Sequence, residues 1–426
     1  MELIALFGTF AVLLVLGVPV AFALGASAFA CAFAMGLPPT VVVQRISSGM
    51  NVFSLLAIPC FIYAGELMLQ GKVADKLINF AVAAIGHLRG GLGLVNVAAS
   101  MMFGGISGSA VADVSALGSV LIPKMREQGY HADYAVNVTI TSATLSLVIP
   151  PSHNLILFSI ATGGGVSVAS LFIAGIVPGL LVGLCLMAVT YLIAVKRNYP
   201  TGRFPGWMPL LVTFVIAIPG LITAAIIVVG VRFGFFTATE AAGIAALYAL
   251  LITVFIYRSL SWQEFLLATV NAVKTTAMVL LIIGAAMAFG WMMAANRVPL
   301  MLSQMLTGLS DNPYVILLTI NVLLLFLGTF MDMAPLIVIT TPIFLPVARD
   351  LGMDPVHFGI VLIMNLGIGL VTPPVGTVLF VGCAVGKVKM EEPLRTIWPF
   401  YGAHVVALLL VTYVPFISLG LVRLIG

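Results

Sequence analysis

Two short stretches of this sequence carry oxygen-bearing groups of the kind that bind a small cation. The first is Gly104-Gly-Ile-Ser-Gly-Ser109, and the second is Gly328-Thr-Phe-Met-Asp332. Hydroxyl, carboxylate and backbone carbonyl oxygens are the ligands that hard cations prefer. Both stretches lie among apolar segments, where an ionisable group is costly and marks a functional site by default. We therefore interpret them as parts of ion-binding sites.

Each stretch is followed by a Pro-Pro pair, Pro150-Pro151 or Pro373-Pro374, inside another apolar segment. Proline lacks an N–H and clashes with the preceding turn, so each pair predicts a helix broken partway across the membrane. Backbone groups left unpaired in hydrocarbon cost several kcal/mol each unless protein, water or a ligand satisfies them. We expect something polar to bind at each break.

The Gly-rich tips and the breaks together predict two cation sites and a substrate cavity. Unwound carbonyls suit Na⁺ or H⁺, whereas half-helix N-termini favour anionic substrate groups. The first cation site, a candidate for Na⁺, is predicted to contain Gly105, Ser107, Ser109, Thr144, Ser146 and Pro150. The second is predicted to contain Gly328, Thr329, Asp332, Gly367, Thr372 and Thr377. The substrate cavity contains Ser152, His153, Asn154 and Pro374.

Four acids and one histidine carry further interpretations. Asp113 and Asp332 are expected within membrane depth, where a carboxylate costs roughly 2.5–3.5 kcal/mol, so both are interpreted as functional. The alternative for each acid is a structural role, in which it lies at a water-exposed hairpin mouth or pairs with a nearby basic residue. Glu66 and Glu240 lie outside the repeated core, and we expect structural or interfacial roles for them. A substrate role and a packing role for His153 remain equally open.

The other histidines and the cysteines predict no chemistry. His404, in the last apolar run, is expected to be a hydrogen-bonded core residue, and His357, near a loop end, to be solvated. The four cysteines lie far apart, without the spacing of a metal site or a disulfide framework. They are Cys31, Cys60, Cys185 and Cys383.

Glycine and proline recur at the same spacing in the two halves of the sequence. Gly105, Pro123, Gly129 and Pro150-Pro151 recur as Gly328, Pro346, Gly352 and Pro373-Pro374, each displaced by 223 positions (328 − 105) without a gap. Paired halves with Gly/Pro-interrupted apolar segments are the best sequence indication of a secondary transporter's binding site. The repeat therefore predicts transport rather than catalysis.

Composition places the chain in a lipid bilayer. Of its 426 residues, 62% are hydrophobic and only 8% are charged, which leaves too little polar surface for a soluble globule. Apolar runs long enough to span ~30 Å of hydrocarbon predict on the order of a dozen membrane-embedded segments and no soluble domain. The first run, residues 3–24, lacks a basic leader and a cleavage site, so we expect a retained helix.

These signals divide the chain into two inverted repeats of an all-α, polytopic membrane protein. Residues 1–195 form the first repeat, with a re-entrant hairpin at about 104–126 and a broken helix at about 134–163. Residues 209–426 form the second, with a hairpin at about 328–349 and a broken helix at about 356–386. The basic linker at 196–208 is expected in the cytoplasm by the positive-inside rule.

Two other function classes fit single features. Gly105-Ile-Ser-Gly108 matches the G-x-S-G pattern of intramembrane serine proteases, with His153 or His404 as the base. Phe330 stands where Ser107 should recur, so that hypothesis leaves the repeat unexplained. The second class is an ion channel, which differs from a transporter because it passes ions without coupling their gradient to the movement of a substrate.

Two further partners are not expected. No phosphate-binding loop pattern occurs, so an ion gradient rather than ATP should supply the driving force. Basic residues mark loop ends and form no nucleic-acid surface.

At several of these positions the sequence resembles the large membrane (M) subunit of tripartite ATP-independent periplasmic (TRAP) transporters, within the ion-transporter superfamily. The resemblance covers essentially the whole chain, and its strength lies in many motifs occurring in order. The matching motifs are Ser54-Leu-Leu-Ala-Ile-Pro-Cys-Phe61, Ala64-Gly-Glu66, His87-Leu-Arg-Gly-Gly-Leu-Gly93, Ser107-Gly-Ser-Ala-Val-Ala-Asp113, Ile149-Pro-Pro-Ser152, Phe236-Thr-Ala-Thr-Glu-Ala-Ala242, Met331-Asp-Met-Ala-Pro335, Asp354-Pro-Val-His-Phe-Gly359 and Thr372-Pro-Pro-Val-Gly376.

The resemblance implies a multi-pass protein of the bacterial inner membrane that works as an elevator, with a scaffold and a moving domain that carries both hairpins and both broken helices. It implies coupling of two or more Na⁺ ions to uptake of an organic acid, without ATP. The implied partners are a small four-helix membrane (Q) subunit and a soluble periplasmic substrate-binding (P) protein. The motifs around 151–155 and 328–335 resemble the sugar-acid branch, sialic acid included, and C4-dicarboxylate uptake is the alternative.

Overall fold

The computed structural model describes residues 1–308, 310 and 312–425. Within these residues the protein is helical throughout, apart from one isolated antiparallel bridge between Arg89 and Thr201. The prediction of an all-α polytopic membrane protein with broken helices is confirmed.

Ten helices precede the linker. They are α1 Ile4–Val15, α2 Val20–Ala34, α3 Thr40–Met50, α4 Phe53–Gln70, α5 Val73–Ile85, α6 Gly91–Ser107, α7 at 110–127, α8 Ala132–Val148, α9 His153–Ala161 and α10 Val168–Lys196.

Eleven helices follow the linker in the described part of the chain. They are α11 Trp207–Arg232, α12 Ala238–Ile256, α13 Trp262–Ala295, α14 Val298–Thr307, α15 Pro313–Gly328, α16 Met333–Asp350, α17 Pro355–Gly369, α18 Thr377–Gly386, α19 Glu391–Leu394, α20 Trp398–Tyr413 and α21 Phe416–Ile425.

Among the described residues, six helices are long and apolar enough to cross a membrane, or eight if each bent pair counts as one span. The sequence predicts about a dozen membrane-embedded segments. The predicted number is larger because the remaining apolar helices have only 10–17 residues and do not count as spans. At 1.5 Å per residue such helices extend at most about 26 Å, less than the hydrocarbon thickness.

Short helices and breaks occur at the predicted positions in both halves. The chain reverses between α6 and α7, and again between α15 and α16, and the helices of each pair contact each other. Helices α8 and α9 meet at an angle of 49° across the first Pro-Pro pair. In the second half, residues 370–376 separate α17 from α18. Each hairpin begins earlier than the sequence patterns indicate, because its first arm is an uninterrupted apolar helix without a signal of its own.

A third bend was not predicted from the sequence. Helices α20 and α21 meet at 56° at residues 414–415. Pro415 accounts for the break, since its ring cannot occupy a helix interior without displacing the preceding turn.

The helices pack as two groups. In the outer group, α13 lies along α2, α3 and α4, while α12 packs on α4 and α11 packs on α5. In the inner group, α6 packs on α8, α15 on α17, and α10 on α6, α17 and α20. The groups meet mainly where α13 contacts α16 and where α6 contacts α4 and α5. Both hairpins and both Pro-Pro breaks therefore belong to the inner group.

The linker is fastened to the inner group. Arg197 donates to both carboxylate oxygens of Asp133, at 3.0 and 2.9 Å. The Gly90 N–H donates to the Pro200 carbonyl (3.2 Å), and Arg89 donates to the side-chain oxygen of Asn198 (2.8 Å). These contacts place the starts of α6 and α8 on the same side of the protein as the linker.

Two side chains show how local chemistry sets structural roles. Glu240 completes a capping box with Thr237 at the start of α12, a structural role of the kind its position indicates. The expectation of a solvated His357 is wrong. Its ring is buried, bonded to Ser418 at 2.6 Å and to the Thr412 carbonyl at 3.3 Å. The bend before α21 folds that helix over His357, which the local sequence does not reveal.

The packing of α15 on α17 depends on a backbone contact between two glycines. A Cβ atom at Gly369 would lie 2.4 Å from the carbonyl carbon of Gly328, which cannot rotate away. We expect Gly369→Ala to lower the unfolding free energy by about 1–3 kcal/mol, as for other overpacked cores. Gly243→Ala, where nothing lies within 4 Å, is the matched control. Thermal unfolding in detergent should separate the two variants, and equal midpoints would contradict the close contact.

Candidate ion and substrate site

The first hairpin turns within two residues. Helix α6 ends at Ser107, and Gly108 follows with a φ of +61°, a left-handed conformation that glycine adopts without strain. The hydroxyl oxygen of Ser109 then accepts from the N–H of Ala112 (3.4 Å) and caps α7. The sequence Ser-Gly-Ser thus ends one helix, reverses the chain and starts the next.

Asp113, one turn into α7, is fully buried at this tip. Its Oδ1 accepts a hydrogen bond from Ser107, whereas its Oδ2 is buried without a partner among the described residues. A buried carboxylate oxygen without a donor is costly and fits a bound cation or a proton. The sequence predicts a functional role for Asp113 from its depth but does not include it in the first predicted cation site, because the contact with Ser107 forms only when the chain reverses at Gly108.

The first tip packs directly on the first break. A Cβ atom at Gly105 would lie 2.8 Å from the Pro150 carbonyl oxygen, so glycine permits this approach. The equivalent atom at Gly104 would lie 2.7 Å from the Cα of Ser146. The side chain of Asn154 donates to the Gly108 carbonyl at 3.2 Å. The structure therefore brings Gly105, Ser146 and Pro150 together.

Thr144 points away from this tip. Its hydroxyl donates to the Thr141 carbonyl (2.8 Å) and lies 2.8 Å from Nε2 of His404. His404 also bonds to the Phe400 carbonyl (3.1 Å), in agreement with the expected core role. A Cβ atom at Gly367 would lie 3.9 Å from the Cβ of Thr144, so these two predicted ligands sit between the two broken helices rather than at a tip.

The second tip repeats this arrangement with different side chains. Gly328 ends α15 against Gly369, and the Thr329 carbonyl accepts from the N–H of Val375 in the second break (3.1 Å). The hydroxyl of Thr377, at the start of α18, is buried without a partner among the described residues. Thr372 donates to the Ile368 carbonyl (2.8 Å), one turn before the break.

Both tips face one cavity of about 170 Å³. Ser107 and Ser109 line it from the first tip, and Asp332 lines it from the second. His153 and Asn154, at the start of α9, also line it, whereas Ser152 is buried as the cap of α9 and Pro374 is exposed in the other break.

The outer group closes the opposite wall of this central cavity. Glu66 of α4 and Thr275 of α13 contribute polar groups there, and Asn271 donates to Glu66 at 3.4 Å. Glu66 thus lines the cavity at the boundary between the two groups, and its expected structural or interfacial role stays a prediction. Only packing could reveal this wall, because its residues come from helices outside the repeated motifs.

The central cavity has an unusual charge balance. Its lining residues include two acids, Glu66 and Asp332, and neither lysine nor arginine. No group of three or more His, Cys, Asp or Glu residues with metal-binding geometry occurs in the described part of the chain. The oxygen-rich tips therefore suit a monovalent hard cation better than a transition metal.

The family model of the tripartite ATP-independent periplasmic transporter, DctM component, matches residues 7–417. The chain belongs to this family. This TRAP large permease is thus a transporter component rather than an enzyme, and it is a multi-pass protein of the bacterial inner membrane. Proteins of the family work with a small membrane subunit and a substrate-binding protein.

Relatives of the TRAP large permease differ in the substrates they are named for. The isethionate TRAP transporter permease DctMQ of Oleidesulfovibrio alaskensis is 41% identical, over 97% of this chain and 65% of the relative. The sialic acid permease SiaM of Vibrio cholerae is 39% identical, over 89% of both chains. The C4-dicarboxylate permease DctM of Rhodobacter capsulatus is 36% identical, over all of both chains.

A solved structure has the same fold. The YdaH transporter of Alcanivorax borkumensis matches with a TM-score of 0.62 and 13% identity, over 89% of the TRAP large permease and 88% of the YdaH chain. At this identity the likeness concerns the fold alone.

The position of Asp332 in the cavity leads to a prediction. If this carboxylate binds the coupling cation, Asp332→Asn should raise the half-saturating Na⁺ concentration for uptake about tenfold, a loss of about 1.4 kcal/mol. Ser109→Ala should have a smaller effect, because a neutral hydroxyl contributes less than a charge. Asp350→Asn, at the exposed far end of the same helix, is the control. A variant at Asp332 with the Na⁺ dependence of the native protein would exclude that residue as a ligand.

Proposed function

We propose that this TRAP large permease couples the entry of Na⁺ to the uptake of an organic anion, with one Na⁺ at each tip and the anion in the central cavity. The observation that carries the proposal is the convergence of both tips on one cavity whose lining includes two acids and neither lysine nor arginine. An anion cannot bind beside Glu66 and Asp332 without compensating positive charge. Bound cations supply that charge, so Na⁺ and anion binding become mutually dependent.

The donor set at each tip fits Na⁺. At the first tip, Asp113 offers an unpartnered carboxylate oxygen, and the Pro150 carbonyl lies against Gly105. At the second, Thr377 offers an unpartnered hydroxyl and Asp332 a carboxylate open to the cavity. These are hard oxygen ligands, and the four come from two tips and two breaks that would move together.

We infer a monoanionic sugar acid, such as sialic acid, as the substrate. A dicarboxylate would place two negative charges beside two acids, whereas a sugar acid places one. Its hydroxyls can bond to the neutral polar side chains of the cavity, which are Ser107, Ser109, His153, Asn154 and Thr275. C4-dicarboxylate uptake is the alternative, favoured by the relative that matches over its whole length.

The proposal includes both partners of a tripartite system. The small membrane subunit and the substrate-binding protein with which the family works are the partners proposed here. The relative DctMQ extends well beyond the match, which covers 65% of it, and so has room for such a subunit. The soluble binding protein would deliver the anion on the periplasmic side.

We further propose an elevator mechanism in which the inner group slides along the outer group. The boundary between the groups is suited to sliding, because the residues that face the tips from α4 and α13 are mostly apolar. The polar bonds across it are few, whereas each tip is bonded to its own break. The tips and breaks would move as one body.

Uptake by proteoliposomes tests the transport function. The permease, reconstituted with its small subunit and its binding protein, should accumulate labelled sialic acid under an inward Na⁺ gradient, and labelled succinate poorly. Dissipating the gradient or omitting the binding protein should each reduce uptake to background. Accumulation of succinate alone would favour the dicarboxylate alternative, and full-rate uptake without the binding protein would contradict the tripartite mechanism.

Cysteine accessibility tests the motion. Ala110 and Ala334 line the central cavity beside the two tips. In a background without native cysteines, cysteines at these positions should react with a membrane-impermeant thiol reagent at rates that change when Na⁺ and sialic acid are added. A cysteine at Thr201, exposed in the linker, should react at a constant rate when the reagent is present on both sides of the membrane. Constant rates at both cavity positions would indicate a static, channel-like core.

A further inference from the structure

A second cavity, of about 210 Å³, lies between the two helical groups near the far end of α13. The outer group lines it with α3 and α13, and the inner group lines it with α9 and α16. The residues that matter here are Arg45, Ser48, Trp291, Ala161, Val338 and Pro342. We call it the outer cavity.

The side of the membrane follows from the path of the chain. Helix α10 ends at the linker, α11 leads away from it, α12 returns, and α13 starts again on the linker side at Trp262. Trp291 lies 29 residues further along α13 (291 − 262), or roughly 43 Å at 1.5 Å per residue. The outer cavity is therefore on the side opposite the linker, which is the periplasmic side if the basic linker is cytoplasmic.

Arg45 is the charged residue that lines the outer cavity. Its guanidinium carbon lies 4.7 Å from the centroid of the Trp291 ring. The ion pairs of the described residues join Lys72 to Glu264 and Arg197 to Asp133, so no acid neutralises Arg45 there. Stacking orients the guanidinium plane and leaves its N–H edge free, the geometry that binds a carboxylate or sulfonate through two hydrogen bonds.

The two cavities lie along the same pair of helices. In the central cavity, Ala334 of α16 faces the stretch of α13 at 275–282, and in the outer cavity, Val338 and Pro342 face the stretch at 286–291. Both helices run toward the outer side. A slide of the inner group by about nine residues of α13, on the order of 13 Å, would bring the second tip level with Trp291.

We propose that Arg45, held on Trp291, is an outer anion subsite that receives the acidic group of the substrate when the tips are at the level of the outer cavity. The inference rests on the proposed transport function. In the arrangement described above, the tips lie at the central cavity, whose lining includes neither lysine nor arginine, and Arg45 faces the outer cavity without an acidic partner among the described residues. The subsite would thus attract the anion on the delivery side and lose contact with it after the slide.

Thiol chemistry tests the subsite without any substrate. Ser48 is exposed one turn from Arg45, so a cysteine at position 48 in a background without native cysteines reports the local charge. The ratio of its rate with a sulfonate-bearing methanethiosulfonate to its rate with the trimethylammonium reagent measures that charge, because Arg45 attracts the first reagent and repels the second. Arg45→Gln should lower the ratio of the two rates about fivefold, as expected for a unit charge at this range. Arg349→Gln, an exposed arginine outside this cavity, should leave it unchanged. An unchanged ratio in Arg45→Gln overturns the proposal.

Transport and protection tests connect the subsite to the substrate. Arg45→Gln should raise the KM for external sialic acid about tenfold with little change in kcat, and Arg45→Lys should restore part of the loss. The KM for efflux of sialic acid from loaded vesicles should not change in Arg45→Gln.

External sialic acid or succinate should slow modification of the cysteine at position 48. Protection by anionic lipid but by neither acid would identify a lipid phosphate contact and overturn the substrate role. If no acid is transported at all, the proposed function fails, while the thiol result still decides whether Arg45 forms an anion site.

Discussion

The fold depends on how unpaired backbone groups are satisfied within the membrane. Two hairpin tips and two Pro-Pro breaks interrupt helices at depths where water is scarce, and each leaves peptide groups without helical partners. The chain pairs each tip with a break. Glycines make this possible, because Gly105 admits the Pro150 carbonyl and Gly328 meets Gly369 at backbone distance. Among the described residues, these contacts leave an oxygen of Asp113 and the hydroxyl of Thr377 without partners, and these are the atoms proposed above to bind a cation.

The two halves share this backbone arrangement, but they carry different polar side chains at equivalent positions. Ser109 and Asp332 occupy equivalent positions (332 − 109 = 223), both at the start of the second hairpin arm. In the first half the acid is instead Asp113, and its equivalent in the second half is Leu336. One carboxylate is therefore buried behind its tip, and the other is open to the cavity. The two proposed cation sites therefore share a backbone arrangement but place their carboxylates differently.

Polar contacts also hold each hairpin to its broken helix. In the first half, Asn96 of α6 donates to Thr139 (2.6 Å) and accepts from Ser142 (3.4 Å) of α8. In the second half, Asn365 of α17 donates to Asn321 of α15 at 2.8 Å. Ser142 and Asn365 are equivalent positions (365 − 142 = 223). Buried hydrogen bonds of this kind hold each hairpin to its break, as the proposed movement of the two as one body requires.

The sequence by itself determined the membrane class, the internal repeat, the two tips and the two breaks, because composition and the positions of Gly and Pro act through local backbone physics. It also placed acids at membrane depth. Only the tertiary structure decided which groups meet: Thr144 bonds to His404 rather than to the first tip, His357 is covered by α21, and Glu66 reaches the central cavity from α4. Those outcomes depend on contacts between residues up to hundreds of positions apart. A local pattern cannot encode such contacts, since the same side chain is solvated or buried according to which distant helix packs against it.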